Sequence, residues 1–327
     1  MKLILPFLIL TFALASCSSS EQAKTNPAES EAHYRLGVEF AQYSLFRNSL
    51  DEFDLAIKHD PKNFKAYDKK GLVLFGLKEY EQAKTSFEKT IQLKPDYVQA
   101  HVNLGMAYYM LKNVDMARKT WEKAIAIKPD DNDSKAYNNL GNLYKDTKEY
   151  DKAIEYYEKA IKQENFNSTY LNNLADIYRI KGDFPKAEEI LQKSLAADVK
   201  GMTTQFNFGK VYKDEKNYDK AIASFEASLK TNPFYVESYY EMADIYMQKK
   251  DKKAAKEAIE KALQKDPSNP RYTELLTKIQ TSWSQPVARR SPGLLGNRFI
   301  FSPPDYSDIA IGRDFYLCLL VGESRAL

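Results

Sequence analysis

The chain has 327 residues, 43% hydrophobic and 28% charged, with 48 basic against 45 acidic side chains. A formal charge of +3 supplies no basic field of the kind that nucleic-acid partners require, and two cysteines cannot build a disulfide framework. Tyr (23) and Phe (17) far outnumber Trp (2), which suits helices that pack through aromatic side chains.

The first element is a targeting segment. Lys2 supplies the positive end, and residues 3–15 are apolar but too short to span a bilayer as a helix. The segment closes on Leu14-Ala15-Ser16-Cys17. That ending resembles the lipobox of bacterial lipoproteins, which implies removal of residues 1–16 and lipidation of Cys17 as the mature first residue. An ordinary cleaved signal peptide with a chance cysteine is the alternative. Residues 17–29 read as a polar, Ser-rich tether, and a dozen such residues reach roughly 20 Å. Ser18 stands where an Asp would imply retention in the inner membrane. The resemblance therefore implies the outer membrane, facing the periplasm or the cell surface.

The body keeps time. Pro61, Pro95 and Pro129 stand 34 residues apart, and Pro233 and Pro267 repeat the interval. Ala83, Ala117, Ala153, Ala187, Ala221 and Ala255 hold the same period with a single step of 36, and so do Tyr108, Tyr144, Tyr178, Tyr212 and Tyr246. A fixed period of this length marks stacked units that bury their apolar faces against one another. With each proline at position 32, seven units run over 30–63, 64–97, 98–131, 134–167, 168–201, 202–235 and 236–269. Each holds two amphipathic helical patterns split by a polar turn. In the third unit, Ala100, Leu104, Tyr108 and Leu111 precede the break at Lys112-Asn113. Met116, Ala117, Trp121, Ala124 and Ile125 follow, and Lys128-Pro129 ends the pattern.

These positions resemble the tetratricopeptide repeat. Its small residue at position 8 is met by Gly37, Gly71, Gly105, Gly141, Ala175, Gly209 and Ala243. Position 20 is Ala except for Ser49. Position 24 is bulky throughout (Phe53, Phe87, Trp121, Tyr157, Leu191, Phe225, Ile259), and position 27 is small. The resemblance implies an all-α, right-handed superhelical solenoid of helix-turn-helix repeats. Asn165 and Val199 replace the proline in the fourth and fifth units, so those joints are expected to differ in pitch. Asn269-Pro270 then opens a closing helix over 270–284, with Tyr272, Leu275, Leu276, Ile279 and Trp283 on one face.

The two inserted residues fall in the acidic stretch 130–133, which lacks the Gly and the terminal Glu of a calcium loop and reads as a solvated turn. Residues 285–327 fall outside the pattern. They contain five Arg and no Lys, and read either as a foreign or frame-shifted segment or as a disordered tail. The run 315–321 is too short for a membrane span, and Cys318 reads as a lone thiol. His33, His59 and His101 are the only histidines and read as structural. No metal spacing, phosphate-cradling loop or nucleophile motif appears. The expectation is a non-catalytic chain with no cofactor, no metal and no small-molecule substrate.

By resemblance, the first helix of each unit lines a concave face through positions 2, 5, 6, 9, 12 and 13. Position 6 is Asn103, Asn139, Asn173 and Asn207 in four consecutive units. An amide both donates and accepts, so such a row can pair with peptide bonds whatever the ligand's sequence. It is similar to the asparagine ladder in the repeat domain of O-linked N-acetylglucosamine transferases, whose catalytic domain has no counterpart here. Asn138, Asn142, Lys145, Asn172, Asp176, Arg179, Lys210 and Lys213 lie beside it, and the basic ones are expected to favour acidic groups or a free carboxylate. The expected partner is a protein or an extended peptide, bound by a membrane-anchored scaffold in a cell-envelope complex. Two alternatives stay open: a surface lipoprotein binding host or neighbouring-cell proteins, and the recruiting arm of a separate glycosyltransferase-like enzyme.

Overall fold

A computed structural model describes residues 25–127, 134–198 and 200–282. The lipobox and Cys17, the acidic stretch 130–133, Val199, Trp283 and the 285–327 segment lie outside the described residues. Among the described residues there are fifteen helices and no strand. The inner, or A, helices are α1 (Pro27–Gln42), α3 (Phe64–Gly76), α5 (Val98–Met110), α7 (Ser134–Asp146), α9 (Ser168–Ile180), α11 (Met202–Asp214) and α13 (Val236–Gln248). They alternate with the B helices α2 (Phe46–His59), α4 (Tyr80–Leu93), α6 (Val114–Ile127), α8 (Tyr150–Gln163), α10 (Phe184–Ala197), α12 (Tyr218–Thr231) and α14 (Lys252–Lys265). The closing helix is α15 (Pro270–Thr281). Six of the A helices start on the first residue of the predicted units.

Each A helix packs on its own B helix, and each B helix on the next A helix. Successive A helices also touch, from α1–α3 through α9–α11 and again at α13–α15, while B helices make no comparable contact with one another. The stack therefore closes up along its A side and opens along its B side, which curves the array and puts the A helices on the concave face. The fold is an all-α superhelical repeat. Of the two joints lacking proline, the one between the fifth and sixth units differs: α9 and α11 approach more extensively than other successive A helices. The joint after Asn165 resembles its neighbours.

The predicted positions explain the packing within a unit. Position 24 is fully buried or nearly so in all seven units, against the small residue at position 8. A Cβ added to Gly141 would lie 2.6 Å from the Tyr157 ring, so helix α7 approaches α8 closely only because that carbon is missing. The Ala at position 20 is wholly buried. In the first unit its replacement, Ser49, donates its hydroxyl to the Gly37 carbonyl at 2.7 Å, which satisfies the polar atom it brings into the core.

The A-to-B turns repeat as faithfully. Position 15 has left-handed backbone in every unit: Ser44, Lys78, Lys112, Lys148, Lys216 and Lys250 with φ between 60° and 66°, and Gly182 at 79°. The next N–H reaches back five residues, as in Asn217 to the Tyr212 carbonyl at 2.8 Å. This is a helix-ending motif that tolerates a side chain at some steric cost.

Two boundaries differ from the sequence reading. The tether was expected to run to residue 29, but Pro27, Ala28 and Glu29 belong to α1, whose N-cap is Asn26. Asn26 Oδ1 accepts from the Glu29 N–H at 3.3 Å, and the Asn26 N–H donates to the His59 carbonyl at 2.9 Å, tying the helix start to the end of α2. At the other end α15 stops at Thr281, short of residue 284. Asn269 caps it through the Arg271 N–H at 3.1 Å, with Pro270 in the first turn, and Tyr272, Leu275 and Ile279 are buried against the seventh unit.

Candidate functional site

The concave face of the fourth to seventh units is polar because its lining positions carry amides and charges, and these side chains bond across repeats. The row of four asparagines is not uniform. Asn103 is buried, donates to Asp68 Oδ1 at 3.2 Å and accepts from Gln99 Nε2 at 2.9 Å. Asn173 Nδ2 donates to Asn138 Oδ1 at 2.8 Å. Asn139 and Asn207 are half-buried and make no side-chain hydrogen bond among the described residues. The uncommitted amides of the row are thus Asn139 and Asn207, with the carbonyl of Asn173 beside them.

Asn172 was expected in the groove, and the structure places it elsewhere. It is buried between helices, donating to Thr204 Oγ1 at 3.1 Å and accepting from Ser194 Oγ at 3.3 Å. An amide at position 5 reaches the joint to the next unit, and there it satisfies two buried hydroxyls. Asn103 and Asn138 are likewise too enclosed to meet a ligand freely. Asn142 remains half-buried, with its Oδ1 accepting from the Tyr157 hydroxyl at 2.7 Å. Burial pushes the Tyr157 pKa far up, so that hydroxyl stays a donor and fixes Asn142 with its Nδ2 uncommitted.

The basic side chains are brought together, though not as open cations. Lys210 lies 3.0 Å and Arg179 2.9 Å from Asp176 Oδ1, and Lys145 lies 3.5 Å from its Oδ2. Arg179 also pairs with Asp214. Lys213 stands between Glu241 at 2.5 Å and Asp244 at 2.7 Å. Burial alone would raise the Asp176 pKa, but Lys210, Arg179 and Lys145 outweigh it and hold the carboxyl well below the usual range. For Lys213, burial opposes the charge, and Glu241 and Asp244 overcome it, keeping the ammonium charged. A ligand acid therefore meets cations already engaged with carboxylates. Sequence reading missed Asp214, Glu241 and Asp244; their positions 13, 6 and 9 on the lining face were the available signal.

The histidines sit away from this region. His33 and His59 stack with ring centroids 5.3 Å apart, their Nδ1 atoms 2.6 Å from Glu52 and 2.8 Å from Glu29. His101 is buried with Nε2 2.9 Å from the Pro95 carbonyl, and burial lowers its pKa, so the neutral ring donates there. Among the described residues no group of three or more His, Cys, Asp or Glu could hold a metal ion, and no helix is long and apolar enough to cross a membrane.

Comparison with known proteins places this arrangement. A tetratricopeptide repeat model matches residues 96–163 and 166–233, a second matches 212–279, and a TPR repeat model matches 71–112. The chain belongs to the tetratricopeptide repeat family. A tetratricopeptide repeat protein from Parabacteroides merdae superposes with a TM-score of 0.63 at 14% identity, over 77% of this chain and 99% of that one. A chain of the APC/C hetero-tetramer Cut9-Hcn1 gives 0.60 at 18% identity over 77% of this chain, which spans only 48% of its length. Yeast Tom70 gives 0.60 at 17% identity, over 79% of this chain and 55% of that one. Identities this low show a shared fold alone. No curated protein matches in sequence. The tetratricopeptide repeat fold is that of a protein-interaction scaffold.

Proposed function

We propose that this tetratricopeptide repeat chain is a non-catalytic scaffold that holds an extended peptide segment of a partner protein in its concave groove. The observation that carries this reading is the pair of uncommitted, half-buried amides at Asn139 and Asn207, on either side of Asn173 along the same face. Half-buried amides that spend neither donor nor acceptor on the protein are suited to a peptide backbone, which offers both. The lipobox-like ending at Cys17 supports a lipid anchor, with the scaffold working beside the outer membrane in a cell-envelope complex.

Pull-down with the full chain, beside a variant carrying Asn139→Ala, Asn173→Ala and Asn207→Ala, tests the groove. The variant is expected to lose its partners while keeping its helical circular dichroism. An unchanged partner set would remove the basis for the reading. Mass spectrometry of the mature N-terminus from cells tests the anchor separately, with a diacylated or triacylated Cys17 expected.

A further inference from the structure

Charges in the groove are unevenly matched, and the mismatch has a direction. Around Asp176, the cations Lys145, Arg179 and Lys210 share two carboxylates, Asp176 and Asp214. That leaves one positive charge in excess at the centre of the groove. Lys145 and Lys210 also stand further out than the carboxylate they share, 30% and 28% exposed against 15% for Asp176, while the more exposed Asp214 is taken up by Arg179. Lys145 holds its carboxylate at 3.5 Å, a weaker contact than the other two, and can turn to a ligand, while Lys210 gives Asp176 one contact and has further N–H donors to offer beside it. Asp146, at the rim of α7, accepts from the Tyr109 hydroxyl and keeps its charge, but forms no ion pair with Lys145, Arg179 or Lys210.

One step along, the balance reverses. Lys213 of α11 faces both Glu241 and Asp244 of α13, one close cation to two carboxylates; Asp244 also accepts from Gln248 Nε2 at 3.1 Å and lies within electrostatic reach of Lys278 on α15, itself paired with Glu274. A uniformly acidic ligand is therefore attracted at α9 and repelled at α13. A ligand that carries both signs in the right order satisfies both ends.

We infer that the groove takes a peptide of split charge, with an acidic side chain on Lys145 and Lys210 and a basic side chain on Glu241 and Asp244. The two centres, one midway between α7 and α11 and the other on α13, are two A-helix spacings apart, roughly 16–20 Å. An extended chain covers that in about five or six residues. This inference rests on the peptide-groove reading and adds to it a ligand class and a direction of binding.

Selection of a phage-displayed random dodecapeptide library on the immobilised full chain at low salt tests it. The expected survivors carry Asp or Glu about five or six residues from Lys or Arg, in one fixed order. Replacing the acid of a selected peptide by its amide should weaken binding roughly threefold to tenfold. That loss should vanish in the Lys145→Gln, Lys210→Gln variant, while replacement of the basic residue should cost nothing further in Glu241→Gln, Asp244→Asn. Each variant is checked by circular dichroism, and the four single substitutions provide the same comparison where a double unfolds. Survivors without paired charges, or a charge dependence indifferent to these variants, overturn the split-charge inference and leave the groove reading standing. No enriched sequence at all overturns both.

Discussion

At the scale of single residues, the pairing of positions 8 and 24 is the most exacting feature. Where position 24 is aromatic, position 8 is glycine; where it is Leu191 or Ile259, position 8 is Ala175 or Ala243. The aromatic ring occupies the space of the missing Cβ, whereas an aliphatic side chain leaves room for it. Gly141→Ala should therefore destabilise the chain by about 1–3 kcal/mol in urea unfolding. Combining it with Tyr157→Leu should recover part of the loss of the Gly141→Ala chain, although Asn142 then loses its hydroxyl partner. Position 15 predicts the opposite sign. Lys216 has left-handed backbone at φ 66°, so Lys216→Gly should raise the unfolding midpoint and stabilise by about 0.5–1 kcal/mol after glycine's larger entropy cost. Asp176 predicts a pH dependence. Its pKa is depressed on folding, so its stabilisation is complete above the unfolded value of about 3.9 and is lost as pH falls through the lower folded value. Asp176→Asn should cost roughly 1.5–3 kcal/mol at pH 7. The gap from the parent chain, followed by urea unfolding across pH, should narrow only below about pH 4.

At the scale of elements, regular spacing made most of the fold readable. The starts of α3, α5, α7, α9, α11 and α13 follow from the period, because the small residues fix each crossing and proline marks the exits before α3, α5, α7 and α13. The start of α1 carries the same cap-and-proline signal, Asn26-Pro27, as the closing helix does at Asn269-Pro270, but it precedes the first full period; the Asn26 N–H bond to the His59 carbonyl is what ties it into the first unit. The groove shows the same division. The period aligned Asn103, Asn139, Asn173 and Asn207, but could not say which amides were spent. That depends on partners such as Asp68 and Asn138, one repeat away, whose distances are set by how the units stack. Asn172 looked equivalent to its neighbour, yet one residue along a helix turns a side chain by about 100°, from the groove into the joint. The closing helix carries its own prediction. Ending the chain at residue 269 removes Tyr272, Leu275 and Ile279 from the face of α13 and α14. The shortened protein should melt at lower temperature and self-associate in light scattering, because an uncapped solenoid end is an exposed apolar face.

At the scale of the whole molecule, stability is a sum over neighbours. Each unit contacts only the next, so damage should stay local. Gly71→Ala should speed amide exchange in α3 and α4 and their neighbours while α12 to α14 keep their protection, as hydrogen-exchange mass spectrometry can follow. A denaturation in which all helices lose protection together would contradict that picture. Contact between successive A helices has a further consequence for what the groove can read. Two A-helix spacings, at about 10 Å each, correspond to about six extended residues. Side chains and carbonyls of an extended strand alternate in direction, so an even number of residues brings the same edge of the ligand back. Asn139 and Asn207 are two units apart, and Asn173 lies at the odd step between them. For the extended peptide proposed above, the solenoid and the strand would act as the two scales of a vernier, coinciding at every second unit. Amides that stay free of the protein's own hydrogen bonds stand at the coincidences.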